Sequence, residues 1–170
     1  MSRHRPPAPA KSPYITRDGW TALHEEQDAL WKKRRKVVKH LSAAAAEGDR
    51  SENAEYIYRK KQLRELDRRI RYLQKRIPDL KVVDAHPEGT DQIFFGAWVT
   101  LENEEGDEIV YRIVGADEFD PKRNWISIDS PMARALLKRR IDDEVTVHTP
   151  GGAVTMFVLQ VHYVNPVATN

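Results

Sequence analysis

Two acidic residues, Asp49 and Glu52, stand three positions apart in the polar stretch EGDRSENAEY, which runs from Glu47 to Tyr56. On a helical turn, side chains at this spacing lie about 5 to 6 Å apart at Cβ, close enough to share one divalent cation. Ligands that offer only oxygen suit Mg²⁺, which usually takes one or two carboxylates and completes its octahedron with water and phosphate oxygens. The pair therefore predicts half of a magnesium site.

The same spacing also has a purely structural interpretation. Asp49 can serve as the N-cap of the following helix with Glu52 at its third position, an arrangement close to a capping box that stabilises a helix by about 1 kcal/mol. The metal role and the capping role do not exclude each other, so both interpretations stay open.

A dense run of basic side chains follows the acidic stretch. Its members are Arg59, Lys60, Lys61, Arg64, Arg68, Arg69 and Arg71. Only Glu65 and Asp67 lie among them, too few acids for an ordinary helix surface held by salt bridges. The run predicts contact with phosphates, and a solvated helix face is the alternative.

Composition excludes several other kinds of chemistry. The chain of 170 residues has no cysteine, which excludes disulfides and thiolate metal sites and fits a reducing compartment. Its six histidines show no ligand spacing, and neither a glycine-rich phosphate loop nor a nucleophile elbow is present. No apolar run approaches the roughly 20 residues of a membrane span, and the first residues lack the apolar core of a signal peptide. We expect a soluble, cytoplasmic protein.

Charge divides the chain into two halves. Residues 1–80 carry 20 Lys or Arg against 11 Asp or Glu, whereas residues 81–170 carry 8 against 15, within a net charge of +2. Because long-range potentials steer encounters by sign, the first half is expected to face phosphates and the second a basic protein surface. Residues 1–13 are rich in proline and basic side chains and are predicted to be a disordered tail.

Seam residues at helical spacing predict two long helices. They are Trp20, Leu23, Gln27, Leu30, Arg34, Val37, Leu41 and Ala44 in the first helix, and Tyr56, Leu63, Leu66, Ile70, Leu73, Ile77 and Leu80 in the second. Only the acidic stretch between them could form a turn. Residues 14–82 are therefore predicted to be an antiparallel coiled-coil hairpin with an acidic tip. A helix of about 30 residues reaches about 45 Å, so the tip would stand far from any globular body.

After Asp84 the apolar period changes to two, which predicts β-strands. The segments FFGAWVTLE and EIVYRIVG flank NEEGD as a hairpin, NWISI is a third strand, and EVTVHTPGGAVTMFVLQVHYV holds two more around a turn. SPMARALLKRR predicts a short helix with Ser130 as N-cap and Pro131 at its first position. Residues 83–166 are thus predicted to be a small α+β domain.

Several of these segments occur in the order found in one known family. GDRSENAEY, YRKKQLRELDRRIRYLQKRI, FFGAWV, YRIVG and ISIDSPMARALL closely resemble the bacterial transcript cleavage factors of the GreA/GreB family, and the basic second helix is more similar to the GreB members. The resemblance covers about residues 14–165. It implies an α+β chain with an N-terminal coiled coil and a C-terminal domain of FKBP-like fold, without implying isomerase activity.

The resemblance also implies a role for the acidic tip. In that family the coiled coil enters the secondary channel of a backtracked RNA polymerase, and its tip reaches the active centre. Asp49 and Glu52 would then be ligands of a Mg²⁺ ion shared with the polymerase and not bound stably by the free protein. Asn53 and Tyr56 would shape the tip or touch the 3′ end of the nascent RNA.

The globular domain would hold the rim of the channel. Asp129, Ser130 and Pro131 are predicted to form an exposed capped turn, and the resemblance implies that this turn docks on the rim helices of the polymerase. The chain would then be a monomeric elongation factor that stimulates the polymerase's own nuclease and is not itself an enzyme. The alternatives are a channel-binding regulator without cleavage activity and a coiled-coil adaptor between proteins.

Overall fold

The computed structural model describes residues 9–46 and 54–166, and these form two compact units. Trp20–Leu80 is a helical unit, whereas the residues up to Gly19 join those from Lys81 onward in a globular unit. Within the range 14–82 predicted for the hairpin, residues 14–19 and 81–82 group with the globular unit, where Tyr14–Ile15 pairs with Lys81–Val82.

Two long helices make up the helical unit. Helix α1 is Arg17–Ala46, and helix α2 is Ala54–Arg76. A single 3-10 turn, Ile77–Asp79, follows α2. Pro78 lies in this turn and lacks the backbone N–H that a continuing helix would need, which accounts for the end of α2.

Ion pairs between the helices show that they run antiparallel. The guanidinium of Arg69 donates to the two carboxylate oxygens of Glu26 at 2.7 and 2.8 Å, and Arg34 Nε donates to Asp67 at 2.6 Å. Glu26 precedes Arg34 in α1, whereas its partner Arg69 follows Asp67 in α2. The predicted helical hairpin is therefore confirmed.

Both predicted seams face inward. Every seam position in the two helices is buried or half-buried, and the most buried members are Leu23, Val37, Ala44, Leu66, Ile70 and Leu73. The hairpin thus has an apolar core of its own.

The globular unit is built on a five-stranded sheet. Its strands are β3 (Trp98–Asn103), β4 (Glu108–Val114), β5 (Trp125–Ser127), β6 (Glu144–Thr149) and β7 (Gly152–His162), in the order β5-β4-β3-β7-β6. All neighbours are antiparallel except β4 and β5. The predicted α+β class is confirmed. Strand β3 begins at Trp98, later than the segment FFGAWVTLE indicated, because a turn at Gly96, where φ is +86°, precedes it.

Helix α3, Pro131–Leu136, packs on this sheet. Leu136 is fully buried and shares one apolar core with Leu101 of β3 and Val158 of β7. The hydroxyl of Ser130 accepts a hydrogen bond from Ala133 N at 3.1 Å, so the predicted N-cap is confirmed.

The described residues before α1, 9–16, form the N-terminal segment, which is hydrogen-bonded to the rest of the globular unit. Strand β1 (Tyr14–Ile15) pairs in parallel with β2 (Lys81–Val82), and the carbonyl of Pro13 accepts from Lys81 N at 2.8 Å. Ser12 N donates to Asp129 Oδ2 at 2.9 Å. These hydrogen bonds hold Ser12 and Pro13, the last two residues of the range predicted for the tail, against the globular unit.

Glu118 fixes the start of α1 in this unit. Its Oε2 accepts from Thr16 N at 3.0 Å and from Gly115 N at 2.8 Å, and its Oε1 accepts from the Thr16 hydroxyl. The same hydroxyl caps α1 by accepting from Gly19 N at 3.1 Å. A Cβ at Gly19 would clash with the carboxylate of Glu118, which these hydrogen bonds hold in place, so the close approach favours glycine.

Within residues 9–46 and 54–166, no helix is long and apolar enough to cross a membrane.

Candidate functional site

Of the four residues predicted for the tip, the structure describes only Tyr56. Asp49, Glu52 and Asn53 lie outside the described residues. Tyr56, in the first turns of α2, is half-buried, and Lys60 Nζ lies 5.8 Å from the centroid of its ring. Among the residues that the structure describes, no cluster of three or more His, Asp or Glu side chains could hold a metal ion.

The predicted basic patch divides into two groups, of which the first is engaged within the hairpin. Arg59 forms an ion pair with Glu55 at 3.4 Å and donates to Gln62 at 3.3 Å. Arg69 is held by both oxygens of Glu26, at 2.7 and 2.8 Å. Because an intramolecular carboxylate already offsets their charge, these two arginines contribute less to an external electrostatic site.

The second group forms an uncompensated basic face on α2, which consists of Lys60, Lys61, Arg64, Arg68 and Arg71. All five side chains are exposed, and none has an acidic partner within ion-pair distance in the described part of the chain. The nearby carboxylate of Asp67 is already bound by Arg34 at 2.6 Å. This basic face therefore presents full positive charge to solvent, as a surface that contacts phosphates must.

Lys75 also belongs to this basic face, although the basic patch predicted from the sequence did not include it. It is exposed and lines a groove of about 490 Å³ together with Arg64, Arg68 and Arg71. Its spacing of four from Arg71 places both side chains on one side of the helix, a signal that the sequence already contained.

The predicted docking turn differs from expectation at two residues, because Asp129 and Ser130 are half-buried and only Pro131 is exposed. Asp129 is half-buried, because Ser12 donates to it through its backbone N–H at 2.9 Å and through its hydroxyl. Ser130 caps α3, and Pro131 is exposed as expected. The turn is thus ordered by the N-terminal segment and is only partly free.

A groove of about 470 Å³ lies beside this turn. Pro9 and Ala10 contribute to one part of its lining, and Phe119, whose side chain is 59% exposed, to another. Asp129 and Arg134 add both signs of charge. The groove therefore combines apolar side chains with charges of both signs.

Two family models match this chain in order. The model described as "Transcription elongation factor, N-terminal" matches residues 13–82. The model described as "Transcription elongation factor, GreA/GreB, C-term" matches residues 87–163. The two matches follow the two units of the structure closely.

Individual proteins are similar over almost the whole length. Transcription elongation factor GreB of Pasteurella multocida (strain Pm70) is 61% identical over 155 residues, which are 91% of this chain and 98% of that protein. Transcription elongation factor GreB of Xanthomonas axonopodis pv. citri (strain 306) is 58% identical over 165 residues, which are 96% of this chain and 98% of that protein.

Among solved structures, GreA factor homolog 1 of Thermus thermophilus superposes with a TM-score of 0.42 at 21% identity, over 89% of this chain and 99% of that one. The family is established by the two family models and by the 61% identity to a relative across 91% of the sequence. This chain belongs to the GreA/GreB family of transcription elongation factors.

Proposed function

We propose that this chain binds backtracked bacterial RNA polymerase through the secondary channel and stimulates the polymerase's own endonucleolytic cleavage of the nascent transcript. Arrested complexes would then resume elongation. The observation that carries the proposal is the basic face of α2, where five exposed cations lack acidic partners in the described part of the chain. Such a face suits the phosphates of an extruded RNA 3′ segment, which it would hold without reading sequence.

The tip acids Asp49 and Glu52 would complete the chemistry. Their donor atoms are all oxygen, which fits Mg²⁺ held jointly with the polymerase. A second ion, when bound, supplies stabilisation of the attacking and leaving oxygens of phosphodiester hydrolysis. The chain's own part is to carry two carboxylates into the active centre, with Asn53 and Tyr56 supporting the tip. On this proposal the nuclease is the polymerase, and the chain acts as its cofactor in the cytoplasm.

Docking is assigned to the globular unit. The turn of Asp129, Ser130 and Pro131, with the neighbouring groove, would contact the rim helices of the polymerase channel. The acidic balance of residues 81–170, 8 Lys or Arg against 15 Asp or Glu, favours a basic partner surface.

The decisive experiment compares near-isosteric variants of the tip. Asp49→Asn and Glu52→Gln keep side-chain size and much of the capping capacity but remove the charge that a hard cation needs. Each variant should fold, compete with the parent protein for polymerase, and fail to stimulate cleavage of a labelled transcript in a backtracked complex. Excess Mg²⁺ should restore part of the activity by mass action.

Three outcomes would contradict the proposal. Full stimulation by the double variant at limiting Mg²⁺ would leave the acids with a capping role only. A parent protein that binds polymerase but never stimulates cleavage would instead be a regulator that occupies the channel, and one that does not bind polymerase would be an adaptor for other partners.

A further inference from the structure

An exposed aromatic side chain lies next to the basic face and has no role in the hairpin core. Tyr58 is 60% exposed, and it follows Ala54, the first residue of α2, by four positions or about 6 Å of helix. A large ring left in solvent contributes little to stability. Its place close to the tip makes it available to whatever the tip meets.

The ring of Tyr58 is supported on one side by a fixed cation. The guanidinium carbon of Arg59 lies 5.6 Å from the ring centroid. Arg59 is in turn held by Glu55 at 3.4 Å and by Gln62 at 3.3 Å. These contacts keep the guanidinium against the tyrosine, and the exposure of the ring leaves room for a second planar group.

Two lysines lie beside the place where that group would bind. Tyr58 lines a groove of about 430 Å³ together with Lys33 of α1, Lys61 of α2 and one acidic residue, Glu65. Both lysines are exposed, and neither has an acidic partner in the described part of the chain. Leu30 and Leu66 add an apolar floor. A flat aromatic with phosphate-binding cations around it is the arrangement by which proteins hold single-stranded nucleic acid.

We propose that Tyr58 stacks on an unpaired base of the extruded RNA 3′ segment, while Lys33 and Lys61 contact the flanking phosphates. The inference rests on the proposed function and adds to it a base contact that the basic face does not supply. Because every base has a π-face, the contact accepts any sequence. Stacking fixes the 3′ segment against α2, so the scissile phosphate is held in place while the tip acts.

The test uses polymerase complexes that are backtracked by a defined number of nucleotides. One transcript carries normal bases in the extruded segment, and a matched transcript carries an abasic nucleotide there. Tyr58→Leu, which keeps apolar bulk but cannot stack, should lower the cleavage rate on the normal transcript by about fivefold or more. Tyr58→Phe should restore the parent rate, and Ile57→Ala is the control for loss of a neighbouring exposed apolar side chain.

The abasic transcript separates stacking from other roles of the ring. On it, the parent protein and Tyr58→Leu should cleave at the same reduced rate. If Tyr58→Leu instead loses the same factor on both transcripts, or loses polymerase affinity in parallel, the ring contacts the polymerase and the inference is wrong. An unchanged rate with Tyr58→Leu on the normal transcript also overturns it. If the parent protein stimulates no cleavage at all, the proposed function fails first.

Discussion

Both carboxylate oxygens of Asp129 accept hydrogen bonds from Ser12, one from the backbone N–H at 2.9 Å and the other from the hydroxyl. A carboxylate offers about four acceptor positions, so two bonds leave capacity for an external donor. They also fix the direction in which the side chain points. We therefore expect Ser12 to position Asp129 for docking and not to block it.

Replacing Asp129 by alanine should weaken polymerase binding by tenfold or more, because removal of one partner from a hydrogen-bonded charge pair costs about 2 to 5 kcal/mol. Ser12→Ala removes only the hydroxyl bond and should weaken binding much less. Competition against labelled parent protein measures both affinities. Thermal unfolding should show that each variant loses about 1 to 3 kcal/mol of stability, with the larger loss for Asp129→Ala. Equal losses of affinity would mean that Asp129 only orders the turn.

Tyr163 ties two parts of the globular unit through its hydroxyl. The hydroxyl donates to the carbonyl of Gln92 at 2.6 Å and accepts from Phe94 N at 3.0 Å. Burial raises the pKa of Tyr163 above its ordinary value, and the hydrogen bond from Phe94 N offsets part of that rise. The folded state therefore keeps this proton at a pH where the unfolded chain has already lost it.

The sign of the resulting pH dependence follows. Below about pH 10 both states hold the proton and the contribution of Tyr163 to stability is constant. Above about pH 10 the unfolded state binds fewer protons, so the free energy of unfolding declines as pH rises towards the folded pKa. Tyr163→Phe should cost about 1 to 2 kcal/mol at pH 8. Urea unfolding at pH 8 and pH 10.5 should show a smaller alkaline loss for the variant than for the parent.

At the scale of elements, the periodicity of the sequence predicted features that depend on local spacing. It did not predict contacts between segments that are far apart in the chain. The seams of α1 and α2, the strands around NEEGD and the cap at Ser130 all depend on local spacing, and each was predicted from it. The pairing of β1 with β2 was not, because strands of two residues carry no period. The ion pair between Arg69 and Glu26 was not predicted either, since it joins two helices across the hairpin.

A variant of the basic face can be compared with a control variant that changes other arginines of the same helical hairpin. A variant with Arg64→Gln, Arg68→Gln and Arg71→Gln should reduce rescue of deeply backtracked complexes more than shallow ones, since only a long 3′ segment reaches that far along α2. The control, Arg34→Gln with Arg69→Gln, removes arginines that already have intramolecular partners. It should leave rescue close to the parent level while lowering stability by about 0.2 to 1 kcal/mol for each pair.

Salt dependence gives the second measurement of this comparison. Each lost phosphate contact should reduce the slope of log affinity against log salt by about 0.7 for a single strand. Equal loss of rescue at every depth of backtracking would contradict RNA contact and indicate general electrostatic steering by α2.

At the scale of the whole molecule, each unit has a separate apolar core. Leu73 is fully buried in the hairpin, and Leu101 is fully buried in the globular unit. Division into two such units could be expected from the change of period after Asp84. The grouping of the residues up to Gly19 with the globular unit could not be expected. It depends on contacts with Glu118 and Asp129, which lie far along the chain.

Separate cores predict separate unfolding. Leu101→Ala should cost about 2 to 5 kcal/mol and should abolish slow hydrogen exchange in β3 and β7 while leaving that of α2 unchanged. Leu73→Ala should produce the opposite pattern. Hydrogen exchange followed by mass spectrometry measures both in the intact chain. Parallel loss of protection in both units, for either variant, would show that the protein unfolds as one cooperative body.

The fastening of the N-terminal segment has a consequence for biosynthesis. Strand β1 leaves the ribosome early, but its partner β2 follows only after the entire hairpin has been synthesised. Glu118 and Asp129, which bind Thr16 and Ser12, emerge later still. Domains generally fold as their residues become available during translation. The hairpin can therefore close on the nascent chain while β1 waits unpaired, and residues that emerge after the hairpin complete the attachment of β1.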